Sequence, residues 1–411
     1  MTKLDELIQE LCPDGVKYKA LGEICKLVTG ATPSKTNAAY WENGTIPWMS
    51  SGEVNLKRVA ATEKKITQLG YEKNSTTIVP KHSVVIALAG QGKTRGKVAI
   101  TEIELCTNQS LCSMICNENL DYKFLYYILD GKYEELRAIS NGDGTRGGLS
   151  LKILAPYKIP VPPLPVQREI VRILDNFTEL TAELTAELTA RKQQYEFYRD
   201  QLLTFAAQGE TILTDKPNAL NRLCQYVSEF IFVKLSDISV NCDSLRKPVT
   251  SGNREAGNIP YYGASGIVDY VKDYIFDGDY LLISEDGANL LARNTPIAFS
   301  ISGKNWVNNH AHILRFNNRI TQRYVEIYLN SIDLSPYISG GAQPKLNQQN
   351  LYKIPIPLPS YQKQKELVTI LDRFDTLCTD LSSGLPAEIE ARQKQYEYYR
   401  DKLLTFREIS N

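Results

Sequence analysis

The sequence predicts an α/β (α+β) protein in which two globular domains with mixed β-sheets are separated by two long antiparallel helices that form a coiled-coil-like spacer. Three observations support this fold class: a helical segment that occurs twice in nearly identical form, a Pro-rich segment ahead of each copy, and short strand patterns between them. A chain of 411 residues also exceeds what one core usually holds. We therefore expect one structural unit encoded twice and related by a pseudo-two-fold axis.

The repeat is clearest in the predicted helices. ARKQQYEFYRDQLLTF (190–205) is almost copied by ARQKQYEYYRDKLLTF (391–406), and EIVRILDNF (169–177) by ELVTILDRF (366–374). Further upstream, the matched pairs are KIPVPPLPVQ (158–167) with KIPIPLPSYQ (353–362), IPW (46–48) with IPY (259–261), and LGEI (21–24) with LSDI (235–238). The Pro-rich pieces predict extended exit strands, because proline fixes φ and removes a hydrogen-bond donor.

These repeats divide the chain into four predicted segments: a first domain (1–160) with a short N-terminal helix, a first spacer helix (161–210), a second domain (211–358) and a second spacer helix (359–411). Within the domains, β-branched and aromatic runs broken by Gly, Asn and Pro predict short strands. Residues 121–139 and 321–332 show helical periodicity. Because the two domains differ sharply between these landmarks, we expect one scaffold with different loops.

Each spacer helix carries a seam of residues at alternating three- and four-residue steps, which is typical of paired helices. The seam includes Phe177 and Tyr198 in the first helix and Phe374 and Tyr399 in the second. We interpret this seam as packing between helices and not as a cofactor site.

The second seam has a stutter at SSGLP (382–386). Gly384 weakens a helix there, and Pro386 is tolerated mainly in a first turn. We therefore expect the second spacer helix to be broken near Gly384–Pro386.

The first spacer helix contains the tetrapeptide TAEL twice in full and once as a partial copy, within TELTAELTAELTA (178–190). A helix of about 40 residues spans about 60 Å, more than one turn of DNA at about 34–36 Å. One further tetrapeptide would add about 6 Å and a net rotation of about 40°, close to the rotation of about 36° per DNA base pair. The repeat thus predicts a spacer that keeps two readers in register when the gap between their sites changes by one base pair.

Charge and cysteine content narrow the function classes. Lys plus Arg equal Asp plus Glu at 47 each, so the formal net charge is zero. Because nonspecific nucleic-acid affinity comes from neutralising phosphates, any DNA-binding face has to be local or completed by a partner.

The eight cysteines include no CxxC pair, which indicates reduced core cysteines and a cytoplasmic protein. We expect neither a signal peptide nor a transmembrane helix.

Four stretches carry a resemblance to a known family. The segment LDELIQELCPDGVKYKALGEI (4–24), the TAEL repeats, and the paired QYEFYRDQLLTF (194–205) and GLPAEIEARQKQYEYYRDKLLTF (384–406) resemble the specificity (S) subunit of type I restriction-modification enzymes, in the subgroup with tetrapeptide repeats in its central spacer. The resemblance covers the whole chain in architecture. It is specific in the helices and weak within the globular parts.

The resemblance implies that each globular part is a target recognition domain reading one half of a bipartite, asymmetric DNA sequence. The helices would set the spacing and dock two methyltransferase subunits, to which restriction and translocase subunits are added. S-adenosylmethionine, ATP and Mg would belong to those partners, so this chain would hold no cofactor and catalyse nothing. The docking positions would include Arg191, Tyr195, Arg199, Arg392, Tyr396 and Arg400.

The stretch ALAGQGKT (87–94) matches the loose phosphate-loop pattern and follows the apolar run SVVIAL (83–88). A phosphate loop leads into a helix whose N-terminal amides hold the phosphates, whereas RGKVAITEIE (95–104) predicts a second strand here. The matching piece of the second domain, YLLISEDGANLLARNTPIAF (280–299), has no Gly-Lys-Thr. We interpret the loop as a strand connection facing DNA, with a solvated basic turn as the alternative.

Loops rich in Gly, Ser, Thr and Asn can supply amides to phosphates and side chains to base edges. In the first domain such loops predict DNA contacts from Ser34, Lys35, Trp48, Ser50, Gln91, Lys93, Thr94, Arg95, Lys97, Asn108, Thr145 and Arg146. In the second domain they predict contacts from Ser251, Asn253, Arg254, Tyr262, Ser265, Asn289, Arg293, Asn309, His310, Gln343 and Lys345. For each residue, a role in a turn or in the core is the alternative.

Two rival functions fit parts of the sequence. A non-catalytic adaptor would use the helices for assembly and the globular parts to bind peptides, and an ATPase would use Lys93. His82, His310 and His312 make no metal-ligand pattern with the dispersed cysteines, so we expect no metal site. The Gly-rich cofactor loop and the Asn-Pro-Pro-aromatic tetrapeptide of a methyltransferase are absent from the sequence. We therefore expect a DNA-recognition subunit.

Overall fold

The computed structural model describes residues 2–90, 94–140, 148–203, 230–340, 343–380 and 382–409. Its contacts divide the chain into two compact units. The first unit comprises Met1–Thr185 and Glu388–Asn411, and the second comprises Ala186–Ala387. Each unit therefore combines one globular part with portions of both helical segments.

The first unit begins with a helix capped by Thr2, whose hydroxyl accepts a hydrogen bond from the Asp5 amide. The elements that follow are α1 (Lys3–Leu11), β1 (Tyr18–Ala20), α2 (Leu21–Ile24), β2 (Cys25–Thr29), β3 (Ile46–Met49), β4 (Arg58–Val59), β5 (Lys64–Ile66), α3 (Gln68–Lys73), β6 (Ile78–Val79), β7 (Val84–Ala87), β8 (Val98–Thr101), β9 (Leu105–Thr107), β10 (Leu111–Cys116), α4 (Tyr122–Gly131), α5 (Tyr133–Ala138), α6 (Leu151–Leu154), β11 (Lys158–Pro160) and the start of α7 (Leu164–Leu203).

Two sheets and a ribbon build the globular part of this unit. In its described residues, β2, β10, β7, β8 and β4 form one sheet in that order, β5, β3, β9 and β6 form a smaller one, and β1 pairs with β11. β7 and β8 are buried along their whole length. Their sequences, VVIA and VAIT, are apolar except for Thr101. This composition suits strands that are covered on both sides, since α4 packs against them and a second apolar cluster around Val54 also includes their residues.

The second unit contains a matching set of elements. These are β12 (Phe230–Val233), α8 (Leu235–Ile238), β13 (Ser239–Asn241), β14 (Ala256–Gly263), β15 (Gly266–Val271), β16 (Phe276–Asp277), β17 (Tyr280–Ser284), α9 (Asn289–Ala292), β18 (Ala298–Ile301), β19 (Lys304–Val307), β20 (Ala311–Phe316), α10 (Arg319–Ser331), α11 (Gln348–Leu351), β21 (Ile356–Pro359), α12 (Tyr361–Thr379) and the start of α13 (Leu385–Leu403).

The strand orders confirm the predicted internal repeat. In the described residues of the second unit, β13, β20, β17 and β18 form one sheet, β15, β14, β19 and β16 form another, and β12 pairs with β21. These orders follow those of β2-β10-β7-β8, β5-β3-β9-β6 and β1-β11. The helix predicted over 121–139 is present as α4 and α5, and the one predicted over 321–332 as α10.

A buried glutamine fixes each helical segment to its globular part at the same place. The Gln167 amide donates to the Pro162 carbonyl over 2.7 Å, and the Gln364 amide donates to the Pro359 carbonyl, also over 2.7 Å. In each case the acceptor lies five residues earlier, in the Pro-rich segment that precedes the helix. Since an unsatisfied buried amide is costly, these bonds stabilise the junction between each Pro-rich segment and its helix.

The second helical segment is interrupted between Thr379 and Leu385, whereas α7 runs unbroken through 40 residues. Gly384 lies in the interruption, and a Cβ there would come 2.7 Å from the Thr376 carbonyl oxygen. Pro386 falls in the first turn of α13, where it costs no hydrogen bond. Within the described parts of the chain, every helix is too short or too polar to cross a lipid bilayer.

The predicted seam residues pack against each other within each unit. Phe177 stacks on Tyr399 with ring centroids 5.5 Å apart in the first unit, and Tyr198 lies 6.0 Å from Phe374 in the second. Burial raises the pKa of the Cys378 thiol, and the nearby charge of Lys192 opposes that rise. Tyr198 thus lies beside Phe374, and the charge of Lys192 acts on the thiol four residues after Phe374, which is the order that two antiparallel helices produce.

Candidate nucleic-acid interface

In the first unit, candidate residues gather where two parallel strands end. β3 and β9 run in the same direction, with Met49 opposite Thr107, so their carboxyl ends meet at one edge of the small sheet. The loop 30–37 begins against this edge. A Cβ on Gly30 would come 1.7 Å from the Thr107 carbonyl oxygen, so only glycine fits at this position.

Two tryptophans hold this loop. The indole N–H of Trp48 donates to the Ala31 carbonyl over 2.9 Å, and that of Trp41 donates to the Ser34 carbonyl over 3.0 Å. The two rings pack edge to face with centroids 5.1 Å apart. Trp48 is buried, so it supports the loop from the core, while Ser34 and Lys35 are exposed at the loop tip.

The second unit holds the matching loop in the same way with different residues. β14 and β19 are parallel, with Tyr261 opposite Trp306. The Tyr261 hydroxyl accepts from the Val249 amide over 3.0 Å, and the Trp306 indole N–H donates to the Lys247 carbonyl over 2.6 Å. Tyr261 occupies the position of Trp48 in the repeat, so both units fix their first loop through an aromatic residue that follows Ile-Pro.

Arg254 braces this second loop. Its guanidinium lies 4.3 Å from the centre of the Tyr261 ring, donates from Nε to the Val249 carbonyl over 3.0 Å and pairs with Asp269 at 3.0 Å. These contacts leave the predicted residues Ser251 and Asn253 exposed at the loop tip. Arg254 thus positions the tip.

Other predicted residues of the first unit are engaged in turns or in the core. The Ser50 hydroxyl donates to Glu53 over 2.8 Å, and the ammonium of Lys97 donates to the Asn55 side chain over 2.8 Å. Thr94 and Arg95 are buried. The predicted residues Gln91, Lys93, Thr145 and Arg146 lie outside the described residues.

The phosphate-loop pattern leads into a strand, as predicted. β8 follows the loop and pairs antiparallel with β7. Helical amides that could hold phosphates are therefore not found directly after the loop, in the described stretch 94–104. The geometry is that of a strand connection.

In the second unit, several predicted side chains bond to neighbouring backbone. Asn289 exchanges hydrogen bonds with the amide and carbonyl of Thr295, each over 3.0 Å. Arg293 has a left-handed backbone with φ of 54° and donates to the Ile332 carbonyl over 2.6 Å. These contacts give both residues structural roles in the loop between β17 and β18.

The remaining predicted residues of this unit lie at or near the surface. His310 pairs with Asp286 at 2.9 Å, and Lys345 pairs with Glu285 at 3.3 Å. Tyr262 is half-buried. Ser265, Asn309 and Gln343 are exposed.

A buried polar network supports this surface from below. His312 is buried, its Nδ1 lies 2.6 Å from Asp243 Oδ2, and its Nε2 lies 2.7 Å from the Leu346 carbonyl oxygen. Burial opposes ionisation of Asp243, but hydrogen bonds from His312 and the Ile313 amide hold the pKa of that carboxyl below its ordinary value. The network ties the segment that carries Gln343 and Lys345 to β20.

Among the described residues, no group of three or more His, Cys, Asp or Glu side chains is placed to hold a metal ion.

The predicted docking residues occupy equivalent surroundings in the two units. The Arg199 guanidinium lies over the Tyr195 ring and that of Arg400 over the Tyr396 ring, each 5.7 Å from the ring centre. Arg400 also pairs with Asp130 at 3.5 Å, and only 14% of its side chain is exposed. These arginine–tyrosine pairs therefore pack largely within their own units.

Exposed aromatic residues next to these pairs were not identified from the sequence. Phe197 and Tyr398 occupy the same position in the helical repeat and are 56% and 62% exposed. Successive helical residues are about 100° apart, so Phe197 lies about 200° round the helix from Tyr195 and faces away from that packing contact. Arg191 and Arg392 are also partly exposed, each beside a glutamate four residues earlier. The sequence did contain a signal: Phe197 and Tyr398 are aromatic residues at matching positions that do not belong to the seam.

Gln109 was also missed. The sequence interpretation favoured Asn108, but Asn108 closes a turn by accepting a hydrogen bond from the Ser110 amide over 3.0 Å, and Gln109 is the exposed side chain. The pattern Asn-Gln-Ser between two strand runs was the available signal.

Comparison with known proteins gives a consistent result. The family model described as type I restriction modification DNA specificity domain matches residues 13–191 and 228–391. A specificity subunit of the type I restriction enzyme EcoprrI from Escherichia coli is 30% identical over 393 residues, which cover 89% of each chain. A putative type I restriction enzyme specificity subunit from Haemophilus influenzae is 40% identical over 187 residues, which cover 44% of this chain and 48% of that relative.

The fold is similar to that of a solved structure. The crystal structure of an S subunit of a type I restriction-modification system from M. genitalium matches with a TM-score of 0.53 and 18% identity, covering 97% of this chain and 98% of that one. At this identity, the likeness concerns the fold.

Proposed function

Because the chain belongs to the family of type I restriction-modification DNA specificity subunits, we propose that each of its units reads one half of a bipartite, asymmetric DNA site and that the chain itself catalyses no reaction. One observation supports this most strongly. Both units fix a loop at the carboxyl ends of a parallel strand pair through hydrogen bonds of aromatic side chains, yet they expose different side chains there. A shared scaffold with different tips is what two readers of unlike sequences require.

The charge balance favours a reader that works inside a complex. With 47 basic and 47 acidic residues the chain has no net charge to attract a duplex. Methyltransferase subunits would therefore close around the DNA and supply S-adenosylmethionine, and restriction subunits would supply ATP and Mg chemistry. On its own the chain should bind DNA weakly.

The test begins with mapping methylated positions genome-wide in a strain that carries this chain and its methyltransferase, and in one that lacks the chain. We expect a single bipartite motif that disappears with the chain. The purified complex should then bind a duplex with that motif in a salt-dependent manner, and bind a shuffled duplex at least about 1,000-fold less tightly. Equal binding to both duplexes would instead favour the adaptor hypothesis.

We place methyltransferase docking at the exposed aromatic positions Phe197 and Tyr398. Their equivalence in the repeat predicts two copies of the same partner, one per position. Phe197→Asp and Tyr398→Asp should each remove one methyltransferase subunit, and the double variant should remove both, as measured by native mass spectrometry. Leu180→Asp, which alters an apolar side chain on α7 that is 47% exposed, is the matched control and should retain both subunits. Full retention in the double variant would contradict this docking site.

The TAEL repeats would act as a ruler for the unread gap. Inserting one TAEL unit after Leu188 should move methylation to a motif whose gap is one base pair longer, with both half-sites unchanged, because the added length and rotation match one base-pair step. Motif mapping checks this outcome. Methylation of the original gap would refute the ruler.

A further inference from the structure

The two units share a second feature at the carboxyl ends of their parallel strands. After β9 and after β19, three residues turn the chain into the next strand, at 108–110 and 308–310, positions separated by 200 residues. Each turn begins with an asparagine, Asn108 or Asn308. The residue that follows is an amide in both units, Gln109 in the first and Asn309 in the second.

Both asparagines are used to build the turn. The Asn108 amide donates to the Met49 carbonyl over 3.1 Å, and its side-chain oxygen accepts from the amide two residues on. The Asn308 amide donates to the Tyr262 carbonyl over 3.0 Å, and its side-chain oxygen accepts from the His310 amide over 2.8 Å. The same backbone and side-chain bonds therefore fix both turns against the neighbouring parallel strand.

The following amides project from these rigid turns into solvent. Gln109 and Asn309 are both exposed. In the first unit the Thr32 hydroxyl donates to Gln109 Oε1, which brings the turn next to the tryptophan-held loop 30–37. A carbonyl oxygen has a second lone pair, and among the described residues no hydrogen bond uses the amide hydrogens of Gln109.

We propose that Gln109 and Asn309 are matched base-reading residues, one for each half-site, and that each pairs with an adenine. This inference rests on the proposed DNA-reading function. A Gln or Asn amide can accept from adenine N6 while donating to adenine N7, and no other base offers that pair in the major groove. A rigid turn suits this task, because the amide must be held in place to discriminate between bases.

The surroundings of the two amides differ, which makes the shared amide informative. Gln109 is flanked by Thr32 and Ser110, whereas Asn309 is flanked by His310, which pairs with Asp286 at 2.9 Å. Turn formation alone requires only the asparagine that precedes each amide. The side-chain amide of Gln109 and Asn309 is thus shared by the two turns although the turn itself does not require it.

The experiment measures methylation by the purified complex on duplexes that carry every single-base change in the mapped motif. Gln109→Ala should lower the specificity constant on the natural site by about 5- to 150-fold, the discrimination typical of a bidentate base contact. The loss should be confined to one A·T pair of one half-site, where the variant no longer distinguishes the bases. Asn309→Ala should do the same at one A·T pair of the other half-site.

Matched controls separate this role from general effects. Gln9→Ala and Asn317→Ala change exposed amides elsewhere in the same units and should leave every position unaffected. Unchanged discrimination in Gln109→Ala and Asn309→Ala would overturn the inference while the wild-type motif still supports the proposed function. A loss spread equally over all duplexes would also overturn it, because that result indicates a phosphate contact. Absence of any motif with the wild-type complex would instead remove the proposed function itself.

Discussion

The outer strands of the two small sheets show how the units differ. In the first unit β5 presents Lys64 and Lys65, both exposed. In the second unit the equivalent strand β15 presents Ile267 and Tyr270, which are 48% and 52% exposed. Both strands pair antiparallel with the strand that leads to the candidate interface. The antiparallel pairing of the edge strand is kept while its exposed side chains change from cationic to apolar. The scaffold therefore does not depend on the side chains of this edge strand.

The larger sheets differ in their interiors. Cys112 in β10 and His312 in β20 occupy equivalent positions, and both are buried. Cys112 lies in an apolar cluster, whereas His312 bonds to Asp243 and Leu346. The second unit thus relies on a polar network where the first relies on apolar packing.

The largest effect should come from removing Asp243. Asp243→Ala leaves buried His312 without its partner at Nδ1, which should cost about 4 kcal/mol. Hydrogen exchange measured by mass spectrometry should show faster opening of the second unit and an unchanged first unit. Cys112→Ala, which removes only a small apolar volume, is the comparison and should cost about 1 kcal/mol. Equal costs at the two positions would remove the contrast between the interiors.

Acid should act on the second unit through the same carboxyl. The folded-state pKa of Asp243 lies below its ordinary value of 3.8. Its stabilisation is therefore fully present above that ordinary value and lost as the pH falls through the lower folded-state pKa. We expect the wild type, but not Asp243→Ala, to lose this contribution as the pH falls below the ordinary value of 3.8. Urea unfolding monitored from neutral pH into the acid range checks the difference.

Substituting a glycine in each of the two loops held by aromatic residues should affect stability unequally. Gly30→Ala places a Cβ against the Thr107 carbonyl and should cost about 3 kcal/mol, with loss of recognition of one half-site. Gly252→Ala, at the tip of the second loop, meets nothing within 4 Å and should change stability by less than about 0.5 kcal/mol. Thermal unfolding and motif mapping measure the two outcomes. A tolerated Gly30→Ala would show that the first loop is not held as tightly as its contacts indicate.

The ion pairs that anchor α4 and α10 to the long helices offer a smaller contrast. Arg323 bonds to Asp372 at 2.7 Å, to Asp375 at 2.8 Å and to buried Glu326 at 2.5 Å, whereas Lys123 bonds to Asp175 at 2.5 Å. Arg323→Ala should cost about 2 kcal/mol, because it removes the cationic partner of buried Glu326 and leaves that carboxylate with the hydrogen bond from the Ser300 hydroxyl. Lys123→Ala should cost about 1 kcal/mol.

The pH dependence of the stability lost in Arg323→Ala checks the cause of that loss. Burial raises the pKa of Glu326, and Arg323 opposes the rise. Removing Arg323 lets the folded-state pKa rise further, so the variant loses additional stability as the pH rises through that value. Urea unfolding should show a larger deficit for Arg323→Ala at pH 8 than at pH 5. A deficit independent of pH would assign the loss to packing.

The smallest effects should come from the indole hydrogen bonds. Trp41→Phe and Trp306→Phe keep a ring but each remove one of the hydrogen bonds that hold a loop, at about 1 kcal/mol each. We expect each variant to relax base discrimination in one half-site only, measured by methylation of single-base variants. Relaxation of both half-sites by one variant would break the assignment of one loop to one half-site.

Much of the scaffold was predictable because it is periodic. The seam that contains Phe177 and Tyr399, the break at Gly384 and the strand after the phosphate-loop pattern all follow from local spacing and residue type. The site was less predictable. Trp48 and Arg254 were expected to contact DNA, but one is buried behind its loop and the other braces one. Their types suit either role, and only their surroundings distinguish the roles.

The sequence by itself determined the duplication, the long helices and the break in the second helical segment, because these depend on repeats and on the local preferences of glycine and proline. The tertiary structure alone decided that Trp48 and Tyr261 hold equivalent loops, that Asn108 closes a turn while Gln109 is exposed, and that Phe197 faces outward. The physical reason is that exposure and hydrogen-bond partners depend on residues far apart in the chain, whose proximity only folding establishes.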